Sequence, residues 1–377
     1  MSLAIAGMGW VTPLGSGIDS VWTRLLKGEE AVAEEIVSPR GNRPYLAFRV
    51  PDSALANLPP NPRLRRVSAI SRFAVAAGLH ALENAGVKVD PGTAERIALV
   101  FAISNGGVIY TRRFYSDIVA TGAQAASPLL FPETVFNAPA SHLAALLGTT
   151  GATYTLVGDG AVGLLAIRMA EDLMNNQALD YCLVVGAEEV DWLLCAAYRQ
   201  WRLLRRQAPI EPFRKPPRGT ILSEGGGAIL LGRSGPVRLE KTHPGGNYRS
   251  RREAGKVLKM IFAELGGDDS EFTIASANGT FVDQVEAEVL SQLAPDTATY
   301  TVKPALGESV GAGGVWQVIV AAQALRTGKL PPLRRAPDAL PFATASSPGW
   351  RGEATRAVAI NCGLNQQIAG VRLARES

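Results

Sequence analysis

Side chains that could form a covalent intermediate or bind a metal are few in this sequence of 377 residues. The cysteines and histidines are Cys182, Cys195, Cys362, His80, His142 and His243. The cysteines are odd in number and none has C-x-x-C spacing, and the histidines are scattered. We therefore expect no disulfide framework, no metal site and no cofactor. Unpaired thiols are typical of the reducing cytosol, so a cytoplasmic protein is predicted.

A glycine pair follows the first apolar run and could begin a phosphate-binding loop. Gly7 and Gly9 give G-x-G, but Thr12 stands where the full G-x-G-x-x-G pattern needs a glycine, so dinucleotide binding is not expected. The opening MSLAIAGMGWVTPLG has no basic segment before its apolar stretch and is interpreted as a strand, not a signal peptide. No apolar run reaches the ~18 residues of a membrane span, so no membrane partner is expected.

The formal net charge is +4, and arginines are concentrated in three places. They are Arg63, Arg65 and Arg66; Arg202, Arg205 and Arg206; and Arg249, Arg251 and Arg252. A solvated surface is the ordinary interpretation of such clusters. Basic patches can also steer an acidic partner towards a site. No nucleic-acid-binding motif accompanies them, so nucleic acid is not expected as a partner.

The elements that position these side chains alternate between strand and helix along the whole chain, which predicts α/β layers with mostly parallel sheets. After Gly235 the alternation begins again, which predicts two similar halves. The predicted strands are Leu3–Gly7, Ile97–Ile103, Tyr154–Val157, Tyr181–Val185, Ala228–Leu231, Phe272–Ala275, Tyr300–Val302 and Ala357–Ile360. The predicted helices are Ser71–Ala85, Ala161–Met174, Gly255–Leu265, Asp283–Leu293 and Val315–Arg326.

Several motifs, in the correct order, carry a resemblance to one family. GMGWVTPLGSGIDSVWTRLLKGEEAV (Gly7–Val32) resembles the G-M-G-x-V-T-P-L-G opening of the β-ketoacyl-(acyl carrier protein) synthases. The further matches are SPLLFPETVFNAPASHLAALLG (Ser127–Gly148), VVGAEEVD (Val184–Asp191), PFRKPPRGTILSEGGGAILL (Pro212–Leu231) and TVKPALGESVGAGGV around Lys303. The resemblance implies the thiolase-like fold, an α/β fold of five layers, αβαβα, built from two similar halves, residues 1–234 and 235–377. It also implies a dimer formed through a strand, here Tyr154–Val157.

The three catalytic side chains of that family are replaced. In the family a cysteine at a helix N-terminus attacks an acyl thioester, and two histidines assist decarboxylation of a malonyl group. Gly160 stands at the cysteine position, Asn278 at the first histidine and Glu308 at the second. Glycine has no nucleophile, asparagine does not shuttle protons at neutral pH, and a carboxylate repels a developing enolate. We expect no intact catalytic residue. We also expect Gly160 to begin a buried helix, with the other two positions close by.

Other polar positions of the family are retained. Lys303, Glu224, Asp283 and Glu286 match its framework residues, and we interpret them as a buried, mutually paired structural network. Asp159, beside Gly160, is interpreted as a helix N-cap.

The family's glycine-rich gating loop corresponds to NCGLNQQIAG, which begins at Asn361, Cys362, Gly363 and Leu364. The loop lacks the family's phenylalanine pair and flexible glycines, which leaves its gating function open.

The resemblance leads to three hypotheses. The first is an inactive partner of an active ketosynthase, similar to the chain-length factors of fatty-acid, polyketide and polyene systems. Such a subunit would complete an acyl tunnel near Phe131–Asn137 and meet an acyl carrier protein. The second is a thiolase-fold acyltransferase or decarboxylase with a relocated nucleophile, for which Ser223, Asp159 and Cys362 are candidates. The third is a homodimeric scaffold that binds acyl chains or acyl carrier protein.

Overall fold

A computed structural model describes residues 3–39, 41, 44–345 and 349–376, and it contains a large mixed sheet covered by helices. The strands are β1 (Leu3–Thr12), β2 (Gly15–Ser16), β3 (Ala33–Ile36), β4 (Tyr45–Phe48), β5 (Ile97–Ile103), β6 (Thr153–Val157), β7 (Tyr181–Glu188), β8 (Leu222–Ser223), β9 (Gly225–Gly232), β10 (Val237–Thr242), β11 (Gly246–Asn247), β12 (Phe272–Ile274), β13 (Ala298–Tyr300), β14 (Lys329–Leu330), β15 (Trp350–Arg351), β16 (Arg356–Cys362) and β17 (Gln367–Arg375). The helices are α1 (Ile18–Leu26), α2 (Ala69–Asn84), α3 (Pro91–Glu95), α4 (Val108–Thr121), α5 (Ala138–Leu147), α6 (Val162–Asn176), α7 (Trp192–Gln200), α8 (Arg251–Glu264), α9 (Val282–Leu293), α10 (Lys303–Leu306) and α11 (Gly313–Thr327).

The strand order repeats, which confirms the predicted two similar halves. The first half has the order β6-β5-β7-β9-β1, and the second has β13-β12-β16-β17-β10. In each half the fourth strand of this order runs antiparallel to both of its neighbours. The halves join where β1 pairs antiparallel with β10, with Leu3 opposite Leu239 and Ile5 opposite Val237. The division into domains 1–234 and 235–377 stays a prediction.

The helices complete the five layers expected for a thiolase-like fold. α2 packs on β1 and β9 from outside and contacts α5, while α8 packs on β17 and α9 from the opposite side. α6 and α11 lie in the middle layer, since α6 contacts both β5 and β17 and α11 contacts both β9 and β16. The two central helices cross at glycines: a Cβ on Gly163 would lie 3.1 Å from the Cα of Gly314. Only glycine permits this approach, so the crossing fixes α6 against the second half.

Local sequence explains where the helices begin. Ser68 caps α2 by accepting a hydrogen bond from the N–H of Ser71, and Ser250 caps α8 in the same way for Glu253. The central helix α11 is buried along nearly its whole length, as its apolar sequence GGVWQVIVAAQAL requires. Within the described residues, no helix is long and apolar enough to span a membrane.

Candidate functional site

The position of the family's cysteine lies in the turn between β6 and α6. Gly160 is buried there, and α6 begins two residues later at Val162 rather than at Gly160 as predicted. A Cβ on Gly160 would lie 3.1 Å from Oδ1 of Asn361 and 3.5 Å from the Cα of Gly363. A nucleophilic side chain would therefore meet the end of β16 and the turn that follows it.

Asp159, next to Gly160, is tied to a distant part of the chain. Its carboxylate accepts hydrogen bonds from the N–H groups of Leu364, at 3.1 Å, and Asn365, at 2.6 Å. It also accepts one from the N–H of Gly160, at 2.7 Å. The N-cap of α6 is Ala161, with no side-chain capping bond, so the predicted N-cap role of Asp159 is wrong. Burial raises the pKa of Asp159, although the backbone donors around it lower the pKa.

The segment aligned with the gating loop is mostly strand. Asn361 and Cys362 are the last residues of β16, and β17 begins at Gln367. Only residues 363–366, called the β16–β17 turn below, lie outside the two strands. The Asn361 amide donates to Oε1 of Gln317 in α11 at 2.7 Å, and the N–H of Cys362 donates to Oγ of Ser276 at 2.9 Å. The strand that enters the turn is thus anchored from inside the core.

The two positions of the family's histidines form one buried polar group with Lys303. The Asn278 amide donates to Oε2 of Glu308 at 2.6 Å, and Nζ of Lys303 lies 2.5 Å from Oε1 of the same carboxylate. The side chains of Lys303 and Glu308 are 1% and 4% exposed. Both oxygens of Glu308 are occupied, and its charge balances that of Lys303. Of the three positions expected to lie close together, Asn278 and Glu308 are in contact. The nearest neighbours of a side chain at Gly160 are Asn361 and Gly363.

Asn278 is held by hydrogen bonds at both ends of its amide. Oδ1 of Asn278 accepts from the N–H of Thr280 at 3.1 Å and from its Oγ1 at 2.6 Å, so the amide is fixed from both ends. An amide does not titrate near neutral pH. An ammonium and a carboxylate in contact present no net charge to a developing enolate. The contacts of Asn278, Lys303 and Glu308 are thus directed at one another and at Thr280.

Asp283 and Glu286 bind backbone and hydroxyl groups near the same cluster. Asp283 accepts N–H bonds from Phe213, at 2.6 Å, and from Asn278, at 2.8 Å. Burial raises the pKa of Asp283 to about 7, although these N–H donors lower it. Burial also raises the pKa of Glu286 to about 8. Glu286 accepts from Oγ of Ser276 at 2.6 Å, which links it through Ser276 to the end of β16. Both carboxyls thus bind loops around Asn278 and the end of β16.

Glu224 lies apart from that cluster. Its carboxylate accepts N–H bonds from Val50, at 3.2 Å, and Val190, at 3.4 Å, and lies 3.4 Å from Nε of Arg49. The four framework residues are therefore not a mutually paired network, because each binds different groups. Within the described residues, Lys303 forms its ion pair with Glu308, which is not one of the four framework residues.

Two buried acids at the end of β7 were not identified from the sequence. Burial raises the pKa of Glu188 to about 8 and that of Glu189 to about 7. Glu188 and Glu308 line the same cavity, which has a volume of only ≈ 10 Å³. That volume is close to the minimum for one water molecule. The sequence signal that could have identified these acids is a pair of adjacent glutamates at the end of a buried strand. This cavity is therefore too small for an acyl chain.

A larger cleft of ≈ 680 Å³ lies outside the β16–β17 turn. Its walls include Tyr198, Trp201, Tyr248 and Arg249, together with several asparagine and glutamine side chains, and Asp159 also lines it. The cleft is thus polar and aromatic. No group of histidine, cysteine or acidic side chains suited to a metal ion occurs in the part of the chain that the structure describes.

Comparisons with known proteins agree over nearly the whole chain. The family model "Beta-ketoacyl synthase, N-terminal domain" matches residues 2–235, and "Beta-ketoacyl synthase, C-terminal domain" matches residues 238–336. Nodulation protein E of Rhizobium leguminosarum bv. trifolii is 24% identical over 365 residues, covering 89% of this chain and 90% of its own.

3-Oxoacyl-[acyl-carrier-protein] synthase 2 of Vibrio harveyi is 24% identical over 342 residues, covering 87% of this chain and 81% of its own. A solved ishigamide ketosynthase/chain length factor superposes with a TM-score of 0.88 at 19% identity, covering 100% of this chain and 99% of its own. That structural likeness shows the fold.

Proposed function

Because this chain belongs to the β-ketoacyl synthase family, we propose that it is a non-condensing subunit that pairs with an active ketosynthase, as a chain-length factor does. The observation that most directly supports this proposal is the buried contact of Glu308 with Lys303 and Asn278. It occupies both histidine positions with groups that cannot transfer a proton. With Gly160 at the cysteine position, the chain lacks the nucleophile for acyl transfer as well as the proton-transferring groups for decarboxylation.

The partner surface is proposed from the edge strand β6 and from a set of exposed apolar side chains in α4 and in the segment between α4 and α5. In the described residues β6 pairs only with β5, so its other edge is free. The set consists of Tyr115, Val119, Leu129, Phe131, Val135 and Phe136. Phe131 is 55% exposed and Phe136 48% exposed. Large exposed aromatic side chains and an unpaired strand edge each support association with another subunit. The partner's identity as a ketosynthase rests on family membership.

An acyl carrier protein is the proposed second partner. The second and third arginine clusters adjoin the outer cleft through Trp201 and Arg249, which line it. Arg202, Arg206 and Arg251 are exposed. Positive charge around a polar cleft steers an acidic protein towards it. We place this assembly in the cytoplasm, which the free, buried cysteines support.

The relocated-nucleophile alternative has little chemical support. The Cys362 thiol is buried, and burial raises its pKa well above the ordinary value, which disfavours the thiolate. Ser223 is buried, and within the described chain its hydroxyl has no hydrogen-bond partner that could act as base. The carboxylate of Asp159 is occupied by backbone N–H groups. A homodimeric scaffold remains the competing proposal, and pairing experiments distinguish it.

The proposal is tested by acylation and by pairing. The isolated wild type should show no mass increase with acyl-thioester substrates, and Gly160→Cys should give at most weak acylation and no condensation. Co-expression with an active ketosynthase from the native host, one with an intact Cys-His-His set, should yield a one-to-one complex that condenses. An acylated wild-type chain would overturn the inactive assignment. A stable homodimer that ignores the ketosynthase would favour the scaffold.

A further inference from the structure

The β16–β17 turn is held by hydrogen bonds from several parts of the chain. Tyr248 binds it from the cleft side: its hydroxyl donates to the carbonyl of Gly363 at 2.5 Å, and its N–H donates to the carbonyl of Gln366 at 2.9 Å. The turn is also closed on itself, because the N–H of Gly363 donates to the carbonyl of Gln367 at 2.8 Å. These contacts fix one side of the turn.

We propose that Asp159 is a latch that fixes the other side and holds the turn closed over the Gly160 position. One carboxylate oxygen accepts the N–H of Leu364 and the other accepts that of Asn365, at 3.1 and 2.6 Å. The bond is reciprocated, because the N–H of Asp159 donates to Oε1 of Gln367 at 2.9 Å. Hydrogen bonds to a carboxylate are stronger than those between neutral groups. Asp159 thus binds three positions beside the cleft, Leu364, Asn365 and Gln367.

The fit at Gly363 supports the latch independently. A Cβ built there would lie 2.0 Å from Oδ2 of Asp159, a distance at which the carboxylate has to move. The carboxylate therefore occupies the space that any other residue at position 363 would need. Glycine at that position and aspartate at position 159 form one matched contact.

The latch gives the outer cleft a closed inner end. Two residues at the turn line the cleft: Asp159, which binds the turn, and Gln367, which begins β17. A flexible chain entering the cleft would stop at this contact and would not reach Gly160. The inference concerns the isolated chain, so it holds with or without the proposed ketosynthase partner.

Two measurements on the purified wild-type protein test the latch. Amide hydrogen exchange should show the turn peptide, residues 363–366, protected to a similar degree as β17. In Asp159→Ala its exchange should be about tenfold faster or more, because two donors lose a charged acceptor. Alkylation of Cys362 by N-ethylmaleimide, read by peptide mass spectrometry, should accelerate similarly. Cys182 and Cys195 are buried elsewhere and serve as internal references.

Asp172→Ala is the matched control, since it removes a carboxylate from α6, the helix that follows Asp159, and the partner of that carboxylate is the surface residue Arg168. It should leave both rates unchanged. If Asp159→Ala does not fold, Asp159→Asn, which keeps one acceptor oxygen, should still accelerate exchange of the turn. Rapid exchange of the turn in the wild type overturns the latch, and so do rates unchanged by the folded Asp159 variant. Neither result affects the proposed pairing with a ketosynthase, which the co-expression experiment tests separately.

Discussion

Glu308 takes the position of a family histidine and also becomes the counter-ion of a buried lysine. Nζ of Lys303 is 2.5 Å from its carboxylate, and both side chains are almost fully buried. A buried pair contributes little net stability compared with an apolar replacement, but removing one partner leaves an isolated charge. The replaced catalytic position is therefore expected to be a stability determinant.

We predict that Glu308→Gln lowers the free energy of unfolding by about 3–5 kcal/mol, because Lys303 is left charged in the interior. Urea denaturation, followed by circular dichroism, measures the change. The double variant Lys303→Met/Glu308→Gln should recover a large part of the loss, since no charge then remains buried.

Asp180→Asn provides the control for that series. It breaks the surface pair of Arg96 and Asp180, whose side chains are 53% and 45% exposed, and should cost less than about 1 kcal/mol. A Glu308→Gln protein as stable as the wild type would contradict the counter-ion role.

Alignment to motifs predicted part of the site, and contacts between distant segments account for the rest. Asn278 and Glu308 were expected to meet because both stand at histidine positions of one reaction. Asp159 was misinterpreted because its partners Leu364 and Asn365 lie 205 and 206 residues later in the chain. No local pattern indicates such a bond, and an aspartate before a helix is usually a cap.

At the scale of elements, helices with long apolar periodicity were predicted well. α6 and α11 differ from the predicted helices by one or two residues at each end. β17 was missed, because its first residues align with a glycine-rich loop of the family and its alternation is interrupted by arginines. The short strands β3 and β4 were missed too, since their pairing depends on β8, far along the chain.

The edge strand β6 carries the prediction for association. Tyr154 and Val157 are exposed large apolar residues at that edge. We predict that Tyr154→Lys/Val157→Lys prevents dimer formation, with itself or with a ketosynthase, because charges on an edge strand oppose strand pairing. Light scattering after size exclusion measures the assembled mass.

Val32→Lys is the matched control, since Val32 is 83% exposed and precedes β3, away from β6. It adds a charge without touching the edge and should leave the mass unchanged. A dimer that survives both lysines on β6 would place the interface elsewhere.

At the scale of the whole molecule, the proposed tunnel at the partner surface can be tested by filling it. Ala138 was the obvious small residue to enlarge, but it begins α5 and is buried, so tryptophan there would disturb this chain's own core. Asn137 is exposed at the end of the same segment. We predict that Asn137→Trp shortens the product of the reconstituted pair, because a growing chain needs an apolar groove to extend. Product lengths are read by mass spectrometry.

Lys88→Trp adds the same bulk at an exposed position far along the chain from that segment and should leave product length unchanged. A paired Asn137→Trp protein that makes less product of the same length would remove chain-length control from this segment. Scaffolding would then be the better account of the pairing.

The contact of Glu308 with Lys303 also affects how this lineage can evolve. A mutation of Glu308 back to histidine would leave Lys303 without its counter-ion, at a cost of about 3–5 kcal/mol against a total stability of about 5–15 kcal/mol. A cysteine at position 160 would meet Asn361 and Gly363. A substitution of Glu308 by histidine therefore weakens the protein before any catalytic group is complete. Under the proposed non-condensing role, the buried pair acts as a barrier, because single substitutions towards the family's catalytic set are disfavoured by stability alone.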